Sequence, residues 1–353
     1  VFSLKKTSVG IDIGSRYIKI AEMDYSPKGA VLRNFAILPT PTEVFYAGEI
    51  QNIELLGHTL LAIMQEKKIP HKKLCLSIGG SGSVSFKKIQ IASADRRVLT
   101  QTVRYEIEQY VGGDISQYVL AYSVNPQAND GGQYDVSVLM GQKHQVVKLL
   151  QLESVMKTKI EVIDYAAFAL FNIWELSQLA AIPPGLQVLL HTGAMSSYLI
   201  LVWEGQIDYV REISVGGHHC TLEIQKSLGL ELHEAEQIKI SLGGLQDVPE
   251  GLPQAVESHQ IQLLEEVVNA IDYFIGSKGL DIKPQQILLS GGGSLIQGWA
   301  ERLRNRFEVP VSFINLSGAF KRIGTSAPVD MAELSIYAPI ALGLAMRREG
   351  DQK

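Results

Sequence analysis

At 353 residues, 46% hydrophobic and 20% charged, the chain is long enough for two or more cores of ~100–200 residues each and too apolar to stay disordered. A formal net charge of -5 counts against nucleic acid as the main partner, because phosphate backbones call for a concentrated basic surface. Its only cysteines, Cys75 and Cys220, lie in no short Cys/Cys or Cys/His spacing that would supply four zinc ligands, and a reducing compartment fits them.

The opening stretch VFSLKKTSVGIDIG holds no uninterrupted apolar run, so neither a signal peptide nor an anchor is expected. No segment approaches the ~20 apolar residues of a membrane span, and any membrane association is expected to come through a partner. Val9–Ile13 predicts a short apolar strand that stops at Gly14-Ser15 and resumes, alternating, over Tyr17–Met23. Leu56, Leu60, Leu61 and Met64 share one face of a predicted helix over Glu54–Gln65, with Pro70 beyond it. Leu74–Ile78 reads as a strand. The run Gly79-Gly80-Ser81-Gly82-Ser83 is followed by the alternating Val84–Ile91, so a hairpin turn is expected there rather than a phosphate loop. Leu99, Val103, Ile107 and Tyr110 fall on one helical face closed by Gly112-Gly113. Strands at Tyr118–Val124 and Tyr134–Met140 flank Asn129-Asp130-Gly131-Gly132, a hairpin connection. A helix over Val146–Met156, a strand at Ile160–Ile163 and a helix over Ala166–Leu179 precede Pro183-Pro184-Gly185, the clearest linker.

The second half opens as the first does. An apolar strand at Val188–Leu190 leads to a turn at Thr192-Gly193-Ala194, then to strands Tyr198–Trp203 and Gln206–Glu212 joined at Glu204-Gly205. The recurrence of strand, glycine turn and strand after a helix-rich interval indicates an internal duplication. Helices are expected from His219 to Gly276, the clearest carrying Leu264, Val267, Val268, Ile271 and Phe274. Last come a strand over Gln286–Ser290, the loop Gly291-Gly292-Gly293-Ser294 and a helix through Leu303 and Phe307. Strand, glycine loop and helix is an arrangement that binds phosphates or nucleosides.

Three glycine turns carry the functional signal. Asp12 ends a buried strand, where its carboxylate would face whatever the turn holds; Gly14 admits a phosphate to the backbone, Ser15 and Arg16 add amide donors, and Lys19 lies within reach of the same anion. A Rossmann fingerprint needs a helix directly after its glycines and a P-loop needs Gly-Lys-Ser/Thr opening one; neither is present. Asp12-Ile13-Gly14 alone reads first as a plain glycine turn between strands, which are common, and it is the second and third turns that strengthen the phosphate reading.

VGIDIGSRYIKIAEM resembles the first phosphate motif of the actin, Hsp70 and sugar-kinase superfamily, LLSGGGSLIQG its adenosine motif, and YAPIALGLAMR the connecting helix that ends the fold. Within it the chain resembles the PilM family of type IV pilus assembly, related to FtsA. IQIASADRRVLTQTVRYEIEQYV is similar to the start of that family's small inserted subdomain, and VREISVGGHHCTLEIQKSLGLELHEAEQIK to the approach to the nucleotide base. The resemblance implies an α/β, actin/Hsp70/sugar-kinase-like (duplicated ribonuclease-H-like) two-lobed fold with an FtsA-type insertion. One lobe core is expected over 1–78 and 166–183, the inserted subdomain over 79–165, the second core over 184–217 and 284–353, and a helical subdomain over 218–283.

The resemblance also implies ATP and Mg2+. Asp12, Gly14, Ser15, Arg16 and Lys19 would hold phosphate from one lobe, with Asp12 on the metal through water; Gly193 and Ala194 would answer from the other. Gly291, Gly292, Gly293 and Ser294 would lie along the adenosine, with Glu236 and Lys239 bordering ribose and adenine, although a Glu and a Lys three apart equally form a solvated helical pair. Where relatives have Asp at the second turn, this chain has His191. A neutral imidazole is a poor substitute for a carboxylate near magnesium, so ATP binding without appreciable hydrolysis is expected; the alternative role for His191 is a hydrogen bond within the turn.

As partner the resemblance implies the N-terminal cytoplasmic peptide of a bitopic PilN-like protein, gripped near the helix that bears Val103, Tyr105 and Ile107, residues that serve a core equally well. Other pilus platform proteins, assembly ATPases and self-association are further implied contacts. The chain would then be cytoplasmic, peripheral at the inner membrane. A sugar kinase and an FtsA-like filament on the same fold are the rival readings.

Overall fold

The computed structural model describes residues 6–26, 29–46, 48–80, 82–92, 95, 97–129, 131–178, 181–245, 247–279, 281–325 and 330–347. Ser81, Asp130 and Leu179, which fall on expected turns and a helix end, lie outside the described residues.

In chain order the first half contains β1 (Lys6–Ile13), β2 (Tyr17–Ser26), β3 (Gly29–Pro39), β4 (Phe45–Tyr46), β5 (Glu49–Ile50), α1 (Ile53–Glu66) and β6 (Leu74–Ile78). Next come β7 (Val84–Ile91), α2 (Leu99–Glu108), β8 (Tyr118–Ala128), β9 (Tyr134–Gln142), α3 (Lys143–Leu150), α4 (Leu152–Met156), β10 (Ile160–Tyr165) and α5 (Ala166–Ser177). The second half contains β11 (Leu186–Thr192), β12 (Ser197–Trp203), β13 (Gln206–Ile213), α6 (Gly217–Leu228), α7 (Leu232–Ser241), α8 (Leu252–Lys278) and β14 (Pro284–Ser290). A 3-10 turn (Gly292–Leu295) then leads to α9 (Trp299–Phe307), β15 (Val311–Phe313), α10 (Ser317–Arg322), β16 (Ile323–Thr325), α11 (Met331–Tyr337) and α12 (Pro339–Ala345).

Two mixed sheets result, ordered β10-β6-β1-β2-β3-β16 and β13-β12-β11-β14-β15. In each, an antiparallel hairpin (β1-β2, β11-β12) is flanked by a parallel strand on its first member (β6, β14), so the duplication read from the sequence is present as topology. Every residue of β11 is buried because the sheet is covered on both faces. Val188 and Leu190 face α8 in one cluster, whereas Leu189, Ile200 and Leu288 join a larger core shared with β1, β6, α5 and α12. The lobes are thus welded along one side. At the weld α12 crosses α5 so closely that a Cβ on Gly343 would lie 1.8 Å from the Ala169 carbonyl oxygen, and one on Gly10 of β1 would lie 2.2 Å from that of Ala341. Only glycine permits such backbone contact.

The third sheet, β7-β9-β8, packs α2 through Ile89, Val103, Ile107, Val136 and Val138. Val103 and Ile107 are therefore core, while Tyr105, on the opposite face, is 62% exposed.

Several expectations are corrected. Gly79–Ser83 is not a hairpin turn: β6 already has β1 and β10 on its two edges, so the chain must leave for another sheet, where β7 pairs with β9. The insertion does not extend to 165 as a separate unit, because β10 lies parallel to β6 and α4 packs on α1. Nor does 284–353 stay within the second lobe, since β16 pairs with β3 and the wholly buried α12 packs against β1. The helix expected over Val146–Met156 breaks at Gln151 into α3 and α4, and Tyr110 lies past the end of α2, beneath the Lys87 ammonium at 3.8 Å.

Candidate nucleotide site

The β1-β2 register places Asp12 opposite Lys19 and Ile13 opposite Ile18, leaving residues 14–16 as a tight turn closed by Gly14 N–H donating to the Tyr17 carbonyl at 3.2 Å. Asp12 is 6% exposed. Its carboxylate accepts from the Lys19 ammonium at 2.9 Å and from the Ser77 hydroxyl at 3.3 Å. Thr40, just after β3, ties the turn's carbonyls back, its hydroxyl donating to Gly14 O at 2.6 Å and its amide to Arg16 O at 3.0 Å. The amides of Ser15 and Arg16 have no acceptor among the described residues. Carbonyls engaged and amides open is a turn suited to an anion.

The second turn repeats the device. Gly193 N–H donates to Ser196 O at 2.9 Å, and the start of α6 occupies the carbonyls, Gly217 N–H donating to Gly193 O at 2.9 Å and His218 N–H to Ala194 O at 2.8 Å. The amides of Ala194 and Met195 again lack an acceptor among the described residues. His191 is paired in register with Tyr198 and with Ser290, and its Nδ1 shares a 2.9 Å hydrogen bond with the Ser290 hydroxyl. Burial first, then the positive charge of Lys19, push the imidazole down to about 4, with Asp12 opposing. It is therefore neutral near pH 7, and its response to Lys19 and Asp12 reflects the approach of the two turns.

The third loop meets the second backbone to backbone. Gly291 has φ of +84°, and a Cβ there would lie 2.3 Å from the Thr192 carbonyl oxygen; one on Gly293 would lie 2.5 Å from Thr192 Cγ2. These positions require glycine. Ser294 braces the loop instead of facing the cleft: it is 3% exposed and its hydroxyl donates to Ser290 O at 2.6 Å. Gly292 lies against the Tyr337 ring, which meets Tyr17 of the first lobe edge-on at 6.3 Å between centroids.

Glu236 and Lys239 on α7 are not a solvated pair. The Lys239 ammonium donates to Glu236 at 2.7 Å, to the Thr221 hydroxyl at 2.8 Å and to Gly217 O at 3.0 Å, with both side chains mostly buried. Burial would raise the Glu236 carboxyl, but hydrogen bonds from Lys239 and Thr221 and the charges of Lys239 and Arg16 hold it below the usual range. Arg16 reaches Glu236 across the cleft at 3.4 Å.

The structure thus gathers Asp12, Gly14, Ser15, Arg16, Lys19, His191, Gly193, Ala194, Gly291 and Gly293 between the lobes, with Glu236 and Lys239 at the mouth. Sequence reasoning missed Thr40, Ser77, Thr221, Ser290 and Tyr337. Ser77 carried a signal as the lone hydroxyl in an otherwise apolar buried strand, and Ser290 as the hydroxyl that ends the apolar run Ile287-Leu288-Leu289; the others are set by tertiary contacts. Among the described residues no group of three or more His, Cys, Asp or Glu is placed to hold a metal, and no helix is long and apolar enough to cross a membrane.

Duplicated sheets that bring two glycine turns and a third glycine loop to one cleft define the actin-like fold. Within that class the chain belongs to the family of the type IV pilus assembly protein PilM, whose family model matches residues 10–349. The structure is similar to a chain of the PilM-PilN type IV pilus biogenesis complex, with a TM-score of 0.82 at 22% identity over 96% of this chain and 97% of that one. It is also similar to the ethanolamine utilization protein EutJ from Carboxydothermus hydrogenoformans (TM-score 0.53, 12% identity, 96% and 89% covered). MreB5 of Spiroplasma citri bound to AMPPNP shares the fold as well (TM-score 0.51, 12% identity, 90% and 94% covered).

Proposed function

We propose that this chain is an ATP-binding scaffold of the type IV pilus machinery that docks the N-terminal cytoplasmic peptide of a PilN-like membrane partner and hydrolyses ATP slowly or not at all. The observation that carries the nucleotide reading is the pair of opposed turns whose carbonyls are tied back and whose amides are open, with the Asp12–Lys19 pair between them. The residues fit a nucleotide. Ser15, Arg16, Ala194 and Met195 would donate amides to the phosphates, Lys19 would pair with them, and Glu236 and Lys239 would border the nucleoside. A single carboxylate, Asp12, suits a magnesium ion that takes its other ligands from phosphate and water. Bound there, MgATP would supply a charge-neutralised triphosphate that rewards closure of the lobes. Neutral His191 offers no carboxylate for the attacking water, which supports slow turnover. The partner reading rests on family membership and on the likeness to the PilM-PilN complex; the chain would reach the cytoplasmic face of the inner membrane through that partner.

Calorimetry with MgATP tests the first part. Asp12→Ala and Lys19→Ala are each expected to weaken binding about tenfold or more, the worth of a hydrogen bond to a charged group. Unchanged affinity in both would remove the site. His191→Asp is expected to keep binding and raise the rate of phosphate release.

A further inference from the structure

Two features that the nucleotide site leaves unused meet each other. One is the glycine run Gly79–Ser83, which carries the chain from β6 into the three-stranded subdomain. The other is Glu212, a largely buried carboxylate on β13, the edge strand of the second sheet. Gly82 N–H donates to its Oε1 at 3.4 Å; burial pushes the carboxyl up, and the Gly82 and Gly80 amides and the Ser196 hydroxyl pull it back. Its Oε2 is buried with no hydrogen-bond partner among the described residues. A buried carboxylate satisfied on one oxygen only is costly, and such a network is sensitive to small changes in its donors.

Register links this carboxylate to the site. Ser290, His191, Tyr198 and Glu212 are successive cross-strand partners on β14, β11, β12 and β13, and cross-strand partners share one face of a sheet. The row begins at the second phosphate turn and ends on the glycine run. Midway, the Tyr198 hydroxyl packs so close to Gly79 that a Cβ there would lie 2.3 Å from it. Ser196, whose hydroxyl favours the charged form of Glu212, belongs to the second glycine turn and closes it through its carbonyl. The same strand also grips the subdomain at a second point, where the Asp208 carboxylate pairs with Lys88 of β7 and Lys278 of α8.

We propose that Glu212 is a positioning residue that ties the second phosphate turn to the entrance of the three-stranded subdomain, so that occupancy of the cleft changes how that subdomain sits on β13. The proposal rests on the nucleotide reading above and adds how the site is read elsewhere in the molecule. An anion gripped by the Ala194 and Met195 amides draws in the turn that carries Ser196. The Ser196 hydroxyl then shifts relative to Glu212, and the carboxylate's hold on Gly80 and Gly82 shifts with it. Asp208, held by two ammonium groups, acts as the pivot.

Hydrogen exchange of the full chain, with and without MgATP, tests this alongside calorimetry. In the wild type, MgATP is expected to slow exchange across Gly80–Ile91 by about fivefold or more, the lower end of typical site-to-site coupling. Glu212→Gln is expected to bind MgATP within about twofold of wild type, as an independent site would, yet to lose that protection. Ser196→Ala should lose it too, and Ser196→Thr, which keeps the hydroxyl, should restore it; this pair decides the matter if Glu212→Gln fails to fold. Full protection in Glu212→Gln, or wild-type binding with no change at Gly80–Ile91, overturns the coupling alone. Absence of MgATP binding in the wild type overturns the nucleotide reading and the coupling with it.

Discussion

The first and second glycine turns share a backbone and differ in charge. In both, the residue two before the glycine faces its register partner on the returning strand: Asp12 faces Lys19 in the first turn, His191 faces Tyr198 in the second. The first pair is an ion pair at 2.9 Å; the second is two rings 6.0 Å apart. What the duplication retained is the way each turn's carbonyls are occupied, by Thr40 in one and by the start of α6 in the other. The side chains at the matching positions differ, so the cleft has a charged wall and a neutral one.

The largest effect is expected from neutralising one side of the charged wall. Lys19→Met leaves the Asp12 carboxylate without its cation in a site where both side chains are nearly buried, and is expected to cost roughly 3–5 kcal/mol, as for a broken buried pair. Urea denaturation measures it, and Asp12→Asn added to Lys19→Met should recover part of the loss.

The neutral wall should show itself in acid. His191 ordinarily titrates near 6.5 and is held at about 4 in the fold, so the unfolded chain binds the extra proton between those values. The stability that comes from keeping the ring neutral is complete above about pH 6.5 and falls away as pH drops toward 4. Between pH 7 and 5 the loss assigned to this ring is about 2 kcal/mol. His191→Gln should remove it, so that the variant's unfolding midpoint changes less between those pH values than the wild type's. His259, also held near 4 by burial, supplies a parallel loss that remains in the variant.

The smallest effect is expected where the charged wall reaches across to the second lobe. Arg16 is half exposed at its contact with Glu236, and Arg16→Ala should cost below about 1 kcal/mol in denaturation experiments. A larger loss would mean that the cleft mouth is held shut by this pair and that the asymmetry extends beyond the turns.

Much of the scaffold was legible because it is local. Ile11, Ile13, Ile18 and Ile20 alternate on either side of one glycine, and Leu264, Val267, Val268, Ile271 and Phe274 recur at helical spacing on α8, where Val267, Ile271 and Phe274 are buried; each pattern is complete within one element. What was not legible depends on distant pairing. No periodicity announces that three residues, Ile323–Thr325, extend the first sheet by pairing with β3, and the glycine run after β6 reads as a hairpin until β10 is seen on the edge it would have used. The candidate site divides the same way. Asp12, Gly14 and Lys19 are marked by their turn, whereas Thr40 and Tyr337 are brought to it from other elements by tertiary packing, and the sequence does not say that the Ser294 hydroxyl turns to Ser290 O.

The near-contact of Gly10 with Ala341 bears on biogenesis. Strand β1 leaves the ribosome well before its covering helix α12, roughly tens of seconds earlier at ordinary rates of translation. Until then one side of the first sheet lies open to solvent. A nascent first lobe is thus a half-finished sandwich that waits for its lid, an interval in which holdase chaperones or premature self-pairing of its strands would compete for the chain.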